Sequence, residues 1–358
     1  MGKPAQYEGA TIDGYQQQQC GPRSALEIWR SPTGGSTPLV EEATCHSNDF
    51  SFVVAPIPVE DVQEEWSNVS GLEPAQIHSL QALAAKGIYW EHPDHVVHAV
   101  FSLHHGGDVE ADGNCLFTAS QKAMRLEESP LEVRLRTVRR FLEDYENDLY
   151  NQEQLNATIR HLYAPNLSVG WGVHWYQELK FLAKKEDRES LDCSIAELVG
   201  VGMPRDQAAE SIYKERCIPV DDAESWAKYM SIAGTGNEEY DIITLSYLKD
   251  GLMSVDDNRE GRAAAFGDDI AIECLANEFE REIFVVQAHG SDAMVDESDN
   301  NNIFYLPHRP RSVSSIRYPP MFLFMKGTGW CGAGGDHYEP IVARLAPCQV
   351  KEKAAATL

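Results

Sequence analysis

The chain has 358 residues, room for one large domain or two ordinary ones at roughly 100–200 residues each. Hydrophobic residues make up 43% and charged residues 24%, a mix that supplies a sizeable core and excludes wholesale disorder. Thirty Lys and Arg against 56 Asp and Glu give a net charge of −26, which excludes non-specific binding to phosphate backbones or anionic lipid surfaces unless a local basic patch is hidden.

In chain order, residues 1–50 read as a flexible leader. Gln16–Gln19, the Ser-Pro-Thr-Gly-Gly-Ser-Thr-Pro stretch at 31–38 and few periodic apolar positions leave little to pack. The N-terminus has neither the apolar core of a secretory signal nor the Arg-rich character of a transit peptide, and Gln6 stands where a myristoylation signal needs Ser or Thr. Residues 51–103 are expected to form an accessory segment that packs on the domain after it. Phe52–Ala55 is a short strand candidate ended by Pro56 and Pro58, and Pro74 to Lys86 reads as a helix closed by Gly87. Val96–Leu103 reads as a strand. His92, His95 and His98, near His104, His105 and Asp108, are conceivable metal ligands, but positions three apart on a strand face opposite ways, so a polar strand is the better reading and no metal is expected.

From Asp112 the pattern is α/β in character. A helix is expected after Cys115, and another with Leu131, Leu135, Val138 and Leu142 on its apolar face. Arg134, Arg136, Arg139 and Arg140 flank that stripe and read as a solvated basic face. Residues 145–230 read mostly as helices, with Trp171, Trp175 and Leu179 on one apolar face and Leu191, Ile195 and Leu198 on another. The Gly-, Asn- and acid-rich run 231–265 reads as a surface insertion. A helix over Asp269–Phe279, strands at Ile283–Val286 and Met321–Met325, and a last strand from His337 to Val342 complete the chain before a tail at 347–358. No span is apolar enough for the roughly 18 consecutive residues of a membrane helix.

Two windows carry chemistry. In Glu110-Ala111-Asp112-Gly113-Asn114-Cys115-Leu116-Phe117, turn residues deliver Cys115 to the first turn of a helix. Free N–H groups and the helix dipole there favour a thiolate and can bind an oxyanion through the backbone around Gly113 and Asn114. A small buried residue under a turn is the alternative. In the second window a glycine-rich turn, Gly332 to Gly335, delivers His337 to the start of a strand. Alternation puts Glu339 on the same face, where a carboxylate can orient the imidazole. Cys331, six residues earlier, has no turn-to-helix setting. The eight cysteines have no CxxC spacing and read as reduced thiols, so a cytoplasmic or nuclear location is expected.

Asp112-Gly113-Asn114-Cys115-Leu116-Phe117, then Phe266-Gly267-Asp268-Asp269 with Ile272–Ala276 and Ile283–Val286, then His337-Tyr338-Glu339, resemble the ovarian-tumour (OTU) family of cysteine proteases. The resemblance implies a papain-like α/β (α+β) fold, a small central sheet flanked by helices, over residues 104–346, with insertions in 150–265. It implies Cys115 as nucleophile, His337 as general base and Asp112 as the acidic residue of the oxyanion loop. Glu339 stands where the family has Asn or Asp, and Phe266 where Trp is typical, a change expected to be tolerable as packing. The implied activity is a ubiquitin-directed isopeptidase acting through an acyl-enzyme, with no metal or organic cofactor. Its partners would be ubiquitin, polyubiquitin chains and ubiquitylated proteins, and the chain is expected to act as a monomer. A catalytically silent ubiquitin-binding module, or a cysteine protease with another substrate, are the alternatives.

Overall fold

The computed structural model describes residues 66–86, 88–91, 98–163, 176–288, 303–312, 318–326 and 337–345. The leader at 1–50, Phe52–Ala55, Trp171, Trp175, Cys331, the glycine turn at 332–335 and the C-terminal tail lie outside them. A 3-10 turn, Trp66–Asn68, leads to α1 (Pro74–Lys86), then β1 (Ile88–Glu91), β2 (His98–His105), α2 (Cys115–Met124), α3 (Pro130–Glu146) and α4 (Gln152–Tyr163). Next are β3 (Tyr176–Lys184), α5 (Arg188–Gly200), α6 (Arg205–Arg216), β4 (Ile218–Pro219), α7 (Ala223–Ser231), β5 (Tyr240–Leu248) and β6 (Gly251–Asp257). Last come α8 (Asp269–Glu278), β7 (Ile283–Ala288), β8 (Ile303–His308), β9 (Met321–Lys326) and β10 (His337–Leu345). The class is mixed α/β.

A six-stranded sheet in the order β1-β2-β10-β9-β7-β8 is antiparallel except where β7 and β9 run parallel. One face packs Phe101, Leu103, Phe322, Phe324 and Ile341 against Trp66 and Leu80. β2 runs through the expected boundary at residue 104 and pairs with β10, and α1 packs against β2. β9 is buried on both faces from Met321 to Met325, because α2 covers the side opposite the Trp66 cluster. That explains its unbroken apolar run.

A second sheet, β4-β3-β5-β6, is wholly antiparallel and packs against α5 and α6 through Phe181, Leu191, Ile195, Tyr213, Ile243 and Leu245. Two expectations are corrected here. Leu179 belongs to a strand, and 231–265 holds β5, whose burial pattern makes it a core strand. Its alternation of Ile and Leu with polar residues was masked by the flanking Gly, Asn and Glu.

Local chemistry fixes the helix starts. Ser129 and Glu132 form a reciprocal capping box at α3, with Pro130 in the first turn. Asp222 and Asp268 cap α7 and α8 through the amides of Ser225 and Ala271. The buried face of α3 is not the expected leucine stripe: Leu131, Leu135 and Leu142 are exposed, whereas Val133, Arg134, Thr137, Val138, Phe141 and Asp144 are buried. Among the described residues no helix is long and apolar enough to cross a membrane.

Candidate active site

Cys115 is the first residue of α2 and is buried. The first α-helical hydrogen bond runs from the Thr118 N–H to the Asn114 carbonyl, so the amides of Cys115, Leu116 and Phe117 have no acceptor within the ladder. The turn before it is tightly determined. Gly113 has φ +84°, and a Cβ there would lie 2.2 Å from the Ala264 carbonyl oxygen, so only glycine fits. Asp112 Oδ1 accepts the Asn114 N–H at 2.8 Å. The Gly113 carbonyl of the same peptide accepts from Arg134 Nη2 at 2.7 Å. A Cβ at Gly267 would lie 2.4 Å from Leu116 Cδ2, so the 264–267 segment presses on the nucleophile turn from the other side. Phe266 beside it is 48% exposed, and its ring is a surface feature next to the site, not the packing residue expected.

The strand β10 brings the second window in. Gly106 donates its N–H to the Pro340 carbonyl at 2.8 Å, just past the end of β2. Backbone groups two residues apart point to the same edge of a strand, so the Tyr338 N–H faces that edge beyond the last β2 partner. The Tyr338 amide favours the ionised form of Cys115, and the helix that Cys115 opens packs on β10. His337 Nε2 lies 3.5 Å from Glu339 Oε1. Its Nδ1 is buried and makes no hydrogen bond among the described residues, to the Cys115 thiol or otherwise.

Glu339 is 1% exposed and is shared. His105 Nε2 lies 2.7 Å from Oε2, and Lys326 Nζ donates to Oε1 at 2.9 Å. Burial works against its ionisation, but the His105 and Lys326 hydrogen bonds and charges hold the carboxyl below the usual range. Asp112 is exposed and its described bond is to the turn. It is a loop-ordering residue, while Glu339 is the acid beside the imidazole.

Electrostatically, burial pushes the Cys115 thiol up, against the Tyr338 and Leu116 amides and Arg134, which pull it down; the Asp112 charge adds to the rise. The helix start favours a thiolate, as expected, but burial outweighs the amides and the net direction is up. The Asn114 N–H is likewise already used by Asp112, whereas the Cys115 N–H has no acceptor within the helical ladder.

Arg134, expected on a solvated face, is 0% exposed. Its two Nη atoms donate to the carbonyls of Met230, Ile232, Gly113 and Ala265 at 2.6–2.8 Å, and its carbon sits 4.5 Å from the Phe117 ring centroid. The signal was present: Arg134, Thr137, Val138 and Phe141 fall at i, i+3, i+4 and i+7, one buried helical face. Arg136 and Arg140 do lie outside, paired with Glu278. Arg309 and Arg311 bind Glu282 and Asp144 and so have structural partners.

For metal, His92 and His95 lie outside the described residues. Ligand atoms of His105, Asp108 and Glu339 do fall within 4.8 Å of one another. Lys326 already balances that carboxylate.

A buried thiol at a helix start, near the start of the strand whose imidazole has its own carboxylate, makes a candidate thiol-hydrolase site on a mixed α/β chain. No protein-family model matches this chain, and neither the curated proteins nor the solved structures yield a match.

Proposed function

We propose that this protein is a papain-like cysteine hydrolase of the OTU type that cleaves the isopeptide bond between ubiquitin and a lysine. The observation that supports the hydrolase reading is the packing of the Cys115 helix on β10, the strand that starts at His337, whose Nε2 is 3.5 Å from Glu339 Oε1. The ubiquitin substrate rests on the three ordered motifs around Cys115, Gly267 and His337. His337 takes the thiol proton, and the sulfur attacks the carbonyl carbon of the terminal glycine of ubiquitin. The charge that develops on that oxygen meets first-turn amides of α2. The imidazolium returns the proton to the departing lysine amine, and water, activated by the same ring, releases the acyl group. Glu339 supports the positive ring. Since the resting thiol is neutral, proton transfer and attack are coupled to substrate arrival.

The test is a ubiquitin probe with a thiol-reactive C-terminus, followed by a diubiquitin panel, with Cys115→Ala beside the native chain. Labelling at Cys115 and cleavage lost to background in Cys115→Ala, with melting unchanged, are expected; Ala suits a helix start and fills most of the thiol's volume. Binding without labelling would make the protein a silent ubiquitin module. Indifference to the probe would assign the site another substrate.

A further inference from the structure

Arg134 is a buried cation to which no acid among the described residues forms a salt bridge. Its hydrogen-bond acceptors are four backbone carbonyls, drawn from the nucleophile turn (Gly113), the C-terminal end of α7 (Met230, Ile232) and the segment before Gly267 (Ala265). No carboxylate among the described residues makes a salt bridge to it; Asp112 and Glu238 act on it only at longer range. A guanidinium taken out of water must have its donors filled. Three chain segments converge to do so, two of them forming the walls of the Cys115 turn. Carbonyl dipoles satisfy both Nη atoms, while the buried Nε has no hydrogen-bond partner among the described residues; the dipoles leave the net charge uncancelled, so its field remains available to a nearby anion.

We propose that Arg134 is the positioning residue of the nucleophile turn: it clamps the peptide preceding Cys115 and lends its uncompensated charge to the thiolate and the oxyanion. The peptide between Gly113 and Asn114 is held at both ends, its carbonyl by Arg134 at 2.7 Å and its N–H by Asp112 at 2.8 Å. With that peptide plane fixed at both ends and Asn114 at φ −89° and ψ 0°, the direction of the next N–H, that of Cys115, is set, and it is this donor that the oxyanion needs. Arg134 also stacks on Phe117, two residues beyond the thiol, so it ties the turn to the helix that Cys115 opens. Charged groups that act on Cys115 are Asp112 on its own turn and Arg134 on α3, with the titratable His337 at the start of β10, on which α2 packs. Arg134 is the permanent cation of the three.

This rests on Cys115 being the nucleophile and not on ubiquitin being the substrate, so the readouts need no substrate. The rate of iodoacetamide alkylation of Cys115 is followed against pH in the full chain and in Arg134→Gln, with thermal melting as the folding control. Loss of the cation should move the profile up by roughly half a pH unit or more; a folded Arg134→Gln with the native profile overturns the electrostatic role. Should Arg134→Gln fail to fold, Arg134→Lys decides, since an ammonium keeps the charge but cannot span four carbonyls with three donors. Amide hydrogen exchange in Arg134→Lys should then quicken at residues 112–117 while the β9 and β10 amides keep native protection. Native exchange at that turn, or a uniform increase everywhere, overturns the clamp.

Discussion

The two halves of the candidate site are built on opposite principles. The nucleophile turn is fixed by backbone: Gly113 pressed on Ala264, Gly267 on Leu116, and one buried cation collecting carbonyls. The imidazole half is fixed by ions: Glu339 held among His105, Lys326 and His337. Steric and dipolar restraint does not depend on protonation, whereas an ionic cluster does. The thiol half should therefore be sensitive to shape, and the histidine half to charge and pH.

The largest break in that contrast is expected from Gly113→Ala. A side chain at φ +84° costs about 1–2 kcal/mol by itself, and a Cβ 2.2 Å from the Ala264 oxygen forces the turn or the 264–267 segment to move. Labelling of Cys115 by the ubiquitin probe should fall by roughly a hundredfold or more, since misplacement near 1 Å has that effect on a reacting pair, and the melting temperature should drop. Native labelling in this variant would show that the turn is not shape-determined.

On the ionic side, Glu339→Gln keeps volume and removes charge. Turnover should fall roughly ten- to a thousandfold, as the ring loses support for its protonated form and for the correct tautomer. The carboxyl is held below its usual range, so its contribution to stability is complete above the unfolded value near ~4.3. That contribution is lost as pH falls through the lower folded value. Melting curves between pH 7 and pH 3 should thus show an acid-dependent drop in the native chain that is shallower in Glu339→Gln. Parallel curves would remove Glu339 from the ionic lock.

This division explains what could be read from the chain alone. Cys115 at a helix start and His337 with Glu339 on one strand face are local patterns, and local periodicity carries them. The same holds for α1, α8 and the apolar strands. The failures are all long-range. In the sequence Arg134 points outward, because the leucines at 131, 135 and 142 offer a more hydrophobic stripe than Val133, Val138 and Phe141. Its burial makes sense only once carbonyls 96, 98 and 131 residues away are brought beside it. His105 and Lys326 meet Glu339 only through the register of β2 and β9 on β10. The strand β5 hid among polar neighbours, because its pairing with β3 sets its burial.

The smallest expected effect sharpens the contrast from within the turn. Asp112 and Arg134 hold opposite ends of one peptide and carry opposite charges, one exposed and one buried. Asp112→Asn retains a side-chain oxygen for the Asn114 N–H, so the turn should keep its shape. What disappears is a negative charge that makes the Cys115 thiolate harder to form. The alkylation profile of Cys115 should therefore move down, opposite to the shift in Arg134→Gln, and by only a few tenths of a pH unit, roughly, since solvent screens an exposed carboxylate. Raising the salt concentration should erase the Asp112→Asn shift and leave that of Arg134→Gln in place, because a Debye length near 8 Å at physiological salt screens surface charges far more than buried ones. A shift of equal size and salt dependence in both variants would mean that solvent reaches Arg134, and the turn would then be an ionic device like the histidine half.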